Sequence, residues 1–401
     1  MTIAAPLARA LGAALAALLV AGCSTTSTSA WNPMTWSLPA PSWDWFSDRG
    51  KANKPGPLPT LTATANATIA WQASVGRARP GLAPAVTANA IYAAASDGTL
   101  VRLEPDTGRS VWRIAAGKPL SAGPGADATL VAVGTDKGEV LAFDPDGKPL
   151  WTAQITSEVL SPPVVADGVV VVSSGDGRIF GIAAADGKTK WVHQRTNPPL
   201  TVRNTAGGLA SRGGVFVGLP GGRLLAMDVQ TGTIGWDGAV ASPKGATELE
   251  RIADVTSRPV VEERQVCAVA YQGRLACFEI VRGALTWTRD LSSLAGIAAD
   301  ATAFYVIDEK GAVHALDKST GASLWKQEAL AERRLRAAQV VGEFVAVVDV
   351  EGYVHLLAKG TGAYVGRAAT DGSAPTGQPF AVGERIVWLS MSGTVFAVGA
   401  R

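Results

Sequence analysis

The stretch Ala315-Leu316-Asp317-Lys318-Ser319-Thr320-Gly321-Ala322-Ser323-Leu324-Trp325 decides the fold. It follows a turn at Lys310-Gly311. Its skeleton is a turn glycine, an apolar residue five on, a second glycine five further and a tryptophan four beyond: Gly311, Leu316, Gly321, Trp325. The same skeleton recurs as Gly98, Leu103, Gly108, Trp112, as Gly177, Ile182, Gly187, Trp191, as Gly222, Met227, Gly232, Trp236, and as Gly273, Phe278, Gly283, Trp287. Gly138, Phe143, Gly147, Trp151 is one residue shorter, and Gly352, Leu357, Gly362 ends on Gly366 in place of the tryptophan. A repeat with a period near 40 residues is a repeat architecture and governs every local reading.

Each repeat reads as four antiparallel strands. Pairs such as Asp97-Gly98, Asp176-Gly177 and Gln272-Gly273 are expected to form two-residue hairpin turns, with glycine supplying the positive φ. Thr-Gly pairs such as Thr320-Gly321 turn the chain a second time, aided by nearby Asp or Ser. The β-rich runs between them, residues 169–173 and 344–348 among others, are strands. A unit of this size is one propeller blade. The tryptophan falls in the fourth strand, where it is expected to pack between neighbouring blades. First glycines at 98, 138, 177, 222, 273, 311, 352 and 393 count eight blades. The eighth runs out of chain after three strands. Thr68-Ile69-Ala70-Trp71 carries a tryptophan 41 residues before Trp112, in phase with the series. The N-terminal strand should therefore close the last blade, which removes exposed sheet edges. The fold class is all-β, an eight-bladed β-propeller over residues 68–401.

Residues 1–22 precede the fold. Arg9, the apolar run 11–21 and the small residues before Cys23 have the layout of a secretory signal, too short for a spanning helix. The cysteine after small residues resembles a bacterial lipobox, which implies cleavage before Cys23 and acylation there. Ser24 implies the outer membrane, with the protein anchored by lipid on the periplasmic face. Residues 23–67 read as the lipidated cysteine and a flexible tether. Trp31, Trp36, Trp43, Trp45 and Phe46 crowd this tether, suited to lipid headgroups, to a partner or to the propeller rim.

The steps between first glycines are 40, 39, 45, 51, 38, 41 and 41. The extra residues lie after Trp191 and after Trp236. Both fall in connections from the outer strand of one blade to the inner strand of the next. Alternating strand direction puts all such connections on one face, and these two belong to consecutive blades. Insertions on one face often mark the binding face.

These loops read Asn197-Pro198-Pro199-Leu200-Thr201-Val202-Arg203 and Gly245-Ala246-Thr247-Glu248-Leu249-Glu250-Arg251-Ile252-Ala253-Asp254-Val255. The repeats resemble pyrroloquinoline-quinone-type propeller repeats. With the two loops and the lipobox, the chain resembles the BamB family, the propeller lipoproteins of the outer-membrane β-barrel assembly (BAM) machinery. The resemblance implies a non-enzymatic scaffold that binds the periplasmic (POTRA) domains of BamA and assists nascent outer-membrane proteins to fold and insert. An apolar-x-apolar-Arg stretch and an Asp-x-Asp pair make that contact in the family. Here they fall on Leu200, Val202, Arg203 and Asp254, with Thr256 where the second acid would stand. The plainer alternative is that Arg203 and Asp254 pair with each other.

Other chemistry is sparse. Charged residues are 17% and the net charge is +2, with basic residues scattered, so nucleic acid is not an expected partner. The repeats also resemble those of quinoprotein dehydrogenases, which makes an enzyme the rival reading, with a cell-wall-polymer binder a third. Yet no two cysteines are adjacent, and His193, His314 and His355 lie in separate blades, unlike a metal-ligand set. His314 and His355 fall at nearly matching strand positions, suited to core or channel-lining roles. No nucleophile–base pair emerges, and no catalytic residue, cofactor or metal is expected. A two-residue turn at Gln272-Gly273 places Cys277 opposite Ala268, so Cys277 reads as a small buried hydrophobe rather than half of a disulfide with Cys267. A three-residue loop would set the two cysteines opposite each other. The run 330–336, with three arginines, reads as a solvated connection or as a docking patch for an acidic partner.

Overall fold

The computed structural model describes residues 54–202 and 207–401. Cys23, the aromatic segment 31–46 and loop residues 203–206 lie outside them. The described strands form eight four-stranded antiparallel sheets, arranged in chain order. Blade 1 is built from Ala85–Val86, Ile91–Ala94, Thr99–Leu103 and Ser110–Ala115. Blade 8 is Phe380–Val382, Arg385–Leu389 and Thr394–Ala400, and its fourth strand is Ala67–Ser74. Ala67 pairs with Ala400 and Ser74 with Thr394. The ring is thus closed by the first strand of the chain.

The middle strands are buried on both faces, as in Val169–Ser173, which explains their unbroken apolar runs. The cores lie between blades. Val169, Val171 and Ile179 of blade 3 pack with Val215, Val217, Leu225 and Met227 of blade 4. The outer strands alternate exposed and half-buried residues, as in Ser110–Ala115.

Tryptophan fixes seven of the eight blades to the next. Trp112 Nε1 donates to Pro145 O at 2.9 Å, Trp151 to Ala184 O at 2.7 Å, Trp191 to Val229 O at 3.0 Å and Trp325 to Lys359 O at 2.8 Å. Trp71, Trp236 and Trp287 do the same with Pro105, Ile280 and Lys318. Each acceptor lies in the turn between the third and fourth strands of the following blade. The second glycine of that turn lies under the indole. A Cβ at Gly321 would sit 2.5 Å from the Trp287 ring, and Gly321 has φ +72°. The glycine and the tryptophan of the repeat are therefore two halves of one interblade contact.

Gly366 follows the same logic. The next blade has no turn there, because its third strand ends the chain and its fourth begins the ring. The N-terminal segment fills the gap: Thr64 and Ala65 donate to Val365 O at 2.9 and 3.0 Å, and a Cβ at Gly366 would lie 2.7 Å from Ala65 O. With no turn carbonyl to meet, an indole is replaced by bare backbone.

The hairpins between second and third strands differ from expectation. Ala95 N bonds Thr99 O at 2.8 Å, Ser174 N bonds Arg178 O at 2.8 Å and Asp308 N bonds Ala312 O at 2.9 Å. These are three-residue loops, closed by a glycine at positive φ (Gly98 +102°, Gly177 +85°, Gly311 +84°), the common alternative to a two-residue turn. In blade 5, Ala270 N bonds Arg274 O at 3.0 Å, and Gln272 itself takes φ +47°. The extra loop residue shifts the register by one. Cys267 then faces Cys277, and the two form a disulfide with a Cα–Cα distance of 4.1 Å. The reading of Cys277 as an unpaired hydrophobe is corrected on this point. The bond sits in the core between blades 5 and 6.

The run 330–336 is also corrected. Ala331–Arg333 is one 3-10 turn. Arg333 is only 3% exposed, bonded to the buried Asp349 at 2.7 Å and to Glu351 at 2.6 Å. Asp349 also holds His355 Nε2 at 3.0 Å, and Tyr364 OH lies 3.1 Å from His355 Nδ1. In blade 6, His314 Nε2 meets Asp308 Oδ2 at 2.8 Å. In both blades the histidine braces the Asp that opens the hairpin loop.

Residues 55–66, the end of the expected tether, are bonded to the ring. Gly56 N donates to Glu332 O at 2.8 Å, and Arg333 Nη1 donates to Gly56 O at 2.5 Å. Glu332 and Arg333 belong to the connection between blades 6 and 7. The segment thus begins on the face of the outer-to-inner connections. It ends on the opposite face, where Asn66 pairs with Arg401.

Candidate partner-binding face

The two long connections, residues 195–208 and 240–259, leave blades 3 and 4 on the same face. The second is organised by its own side chains. Glu250 Oε2 accepts from the amides of Ala246 at 2.8 Å and Thr247 at 3.1 Å, while Glu250 N donates to Thr247 Oγ1 at 3.3 Å. This reciprocal pattern resembles a capping box. It holds Leu249 in solvent at 66% exposure. Ala253 and Val255 anchor the loop base in the core between blades 4 and 5, and Val255 N bonds Leu219 O at 3.2 Å.

Asp254 joins the loops. Its Oδ2 accepts from Val202 N at 2.6 Å and its Oδ1 from Gly221 N at 2.9 Å. Its own carbonyl takes Tyr271 N at 2.8 Å. One residue ties the first long loop and the hairpin of blade 4 through its carboxylate, and the hairpin of blade 5 through its main-chain carbonyl. Asp254 is 1% exposed. Burial pushes its carboxyl above the ordinary value, and the amides of Gly221 and Val202 pull it back only in part. Below the loops, Asp237 bridges Arg195 at 2.7 Å and Arg223 at 2.8 Å.

Of the residues singled out in the sequence, Leu200 is 47% exposed and Val202 is half-buried with its amide engaged. Arg203 lies outside the described residues. Asp254 shares the site with Val202, but as an internal brace and not as an exposed contact. Two apolar residues escaped the sequence reading. Leu249 is the tip of the second loop, and Leu294, 49% exposed, stands on the next connection round the ring. Leu249 had a signal: a lone leucine among Glu248, Glu250 and Arg251 cannot be core. Leu200, Leu249 and Leu294 thus occupy three consecutive connections on one face.

Residues 96–327 match the family described as outer membrane protein assembly factor BamB. The chain belongs to the BamB family. The BamB of Bordetella pertussis is 40% identical over 357 residues, covering 88% of this chain and 92% of that one. The crystal structure of BamB from Moraxella catarrhalis superposes with a TM-score of 0.75 at 28% identity, over 82% of this chain and 99% of that one. Quinohemoprotein alcohol dehydrogenase from Comamonas testosteroni superposes with a TM-score of 0.63 at 13% identity, over 83% and 76% of the two chains. That likeness is one of fold alone.

Proposed function

We propose that this chain is a non-enzymatic scaffold of the outer-membrane β-barrel assembly machinery. It docks the periplasmic domains of BamA on the face carrying residues 195–208 and 240–259, and so assists outer-membrane proteins to fold and insert. The observation that carries this reading is the trio Leu200, Leu249 and Leu294 on consecutive connections, beside loops locked by Asp254. Exposed apolar side chains on a rigid, polar-rimmed surface suit a protein partner. Arg203 adds a fork for a carboxylate or backbone carbonyls. Asp254 acts as a positioning residue for Val202. Membership of a family named for outer-membrane protein assembly supplies the partner class.

Acylated Cys23 holds the protein to the periplasmic face of the outer membrane in this reading. Gly56 is bonded to the connection between blades 6 and 7, so the anchored segment reaches the ring on the docking face. The test is co-purification from solubilised membranes. Leu249→Asp and Arg203→Glu each reduce recovery of BamA with an unchanged melting temperature; recovery equal to wild type in both variants rejects the docking face.

A further inference from the structure

The ring encloses a central cavity of about 760 Å³, within the range of small-molecule sites. Its wall is mostly proline, glycine, alanine and valine. Among the described residues, three charged ones line it: Arg258, Arg336 and Glu262. Glu262 is neutralised by Lys318 at 2.6 Å. It follows the inner strand of blade 5, Val260–Val261, and so lies toward the far end of the channel. Arg258 precedes that strand, and Arg336 precedes Ala337–Val341, the inner strand of blade 7. Strand direction therefore sets both arginines at the end nearer the docking face.

Among the described residues, neither guanidinium has a carboxylate partner. Arg258 lies over the Phe380 ring at 5.0 Å, and Phe380 starts the inner strand of blade 8, three blades further round. The Arg258 side chain must cross the lumen to reach it. No described acceptor takes a hydrogen bond from its five donors, and burial alone lowers its proton affinity. Arg336 is lowered by burial and by the charge of Arg334. Beside Arg258, Thr256 Oγ1 and Ser257 Oγ are buried and find no partner among the described residues; both residues line the cavity. Gln378, from the connection into blade 8, roofs this end by bonding Ala295 O at 3.2 Å in the connection to blade 6.

We propose that the channel binds a small anion bearing carboxylate or phosphate groups, held by Arg258 and Arg336 with the hydroxyls of Thr256 and Ser257. A cation on an aromatic face is weakly held. An oxyanion offers a guanidinium stronger, paired hydrogen bonds, so Arg258 is poised to exchange Phe380 for a ligand. Its geometry is independent of the docking reading.

The test is isothermal titration calorimetry on the full chain in detergent, with citrate and inorganic pyrophosphate as probes and sucrose as the neutral control. At least one anion binds saturably with one site per chain, and sucrose does not. Citrate alone assigns a carboxylate ligand; pyrophosphate alone assigns a phosphate. Arg258→Gln and Arg336→Gln each weaken that binding tenfold or more, while the exposed Arg289→Gln leaves it unchanged. Arg258→Lys, which keeps the charge and loses the fork, weakens it severalfold. Absence of saturable binding of both anions to wild type overturns the proposal, as does binding unaltered in both glutamine variants.

Discussion

The Asp254 carboxylate lies 2.6 Å from the amide nitrogen of Val202, 52 residues earlier in the chain. With Gly221 N on its other oxygen, it replaces backbone pairing that two irregular loops cannot supply. Asp254→Ala leaves two amides without an acceptor and costs about 2–4 kcal/mol, read as a lower urea midpoint. Asp254→Asn retains one acceptor and costs about half as much. Because the loop carrying Val202 is released, Asp254→Ala also weakens BamA recovery, although its own side chain is buried. A stability curve identical to wild type would show that the brace is idle.

The disulfide predicts a chemical footprint. Without reductant, Cys267 and Cys277 resist thiol labelling even in denaturant, and both label after reduction. Cys277→Ala opens a covalent loop of 10 residues' separation and costs about 2.5 kcal/mol in a chain-entropy estimate. Both sulfurs are buried, so reductant acts slowly on the folded ring and quickly on the unfolded chain. Full labelling of denatured, unreduced protein contradicts the pairing.

The interblade contact predicts an ordering of variants. Trp325→Phe keeps the ring and loses one hydrogen bond, costing about 1 kcal/mol. Gly321→Ala forces a Cβ into a left-handed residue and against the Trp287 indole, costing about 2–4 kcal/mol. Gly366→Trp restores the repeat consensus and yet destabilises the most, because Ala65 O occupies the space. Thermal unfolding ranks the three; a stabilising Gly366→Trp contradicts this account of blade 7.

Acid sensitivity centres on blade 7. Burial holds His355 below its ordinary value of 6.5, against the opposing pull of Asp349, while Arg333 and Arg367 add to the lowering. The unfolded chain takes up a proton near pH 6.5 and the folded ring does not. This stability is therefore present above pH 6.5 and lost as pH falls toward the lowered folded value, at no more than about 1.4 kcal/mol per pH unit. Asp349, also lowered, adds a loss of the same sign below pH 3.8. His355→Gln flattens the fall in melting temperature between pH 6.5 and pH 5. Parallel profiles for the two proteins would place the acid sensitivity elsewhere.

Blade number, ring closure and the two long connections were legible because glycine and tryptophan recur at fixed intervals and each has one steric task. Hairpin length was not: two- and three-residue loops both end in glycine, and only the cross-strand bond of Ala270 with Arg274 separates them. That single residue decided the cysteine pairing. The role of Asp254 was hidden for another reason. A carboxylate in a loop of Glu, Arg and Thr reads as solvated, and its burial depends on Val202 and Gly221, both distant in sequence. Arg333 misleads in the same way, since Asp349 and Gly56 that bury it come from separate segments. Arg258 and Arg336 gave no signal at all, because a lumen exists only once eight sheets meet.

The pairing of Ala67 with Ala400 makes the earliest strand wait for the latest. A chain folding from its N-terminal side can assemble its blades one after another, but cannot lock the circle before Thr394–Ala400 is available to Ala67–Ser74. Any product truncated within Thr394–Ala400 keeps two raw sheet edges and a dangling first strand, open to proteolysis or to pairing with another chain. Latching the wheel between Ala67 and Ala400 means that a sealed ring certifies the presence of both strands.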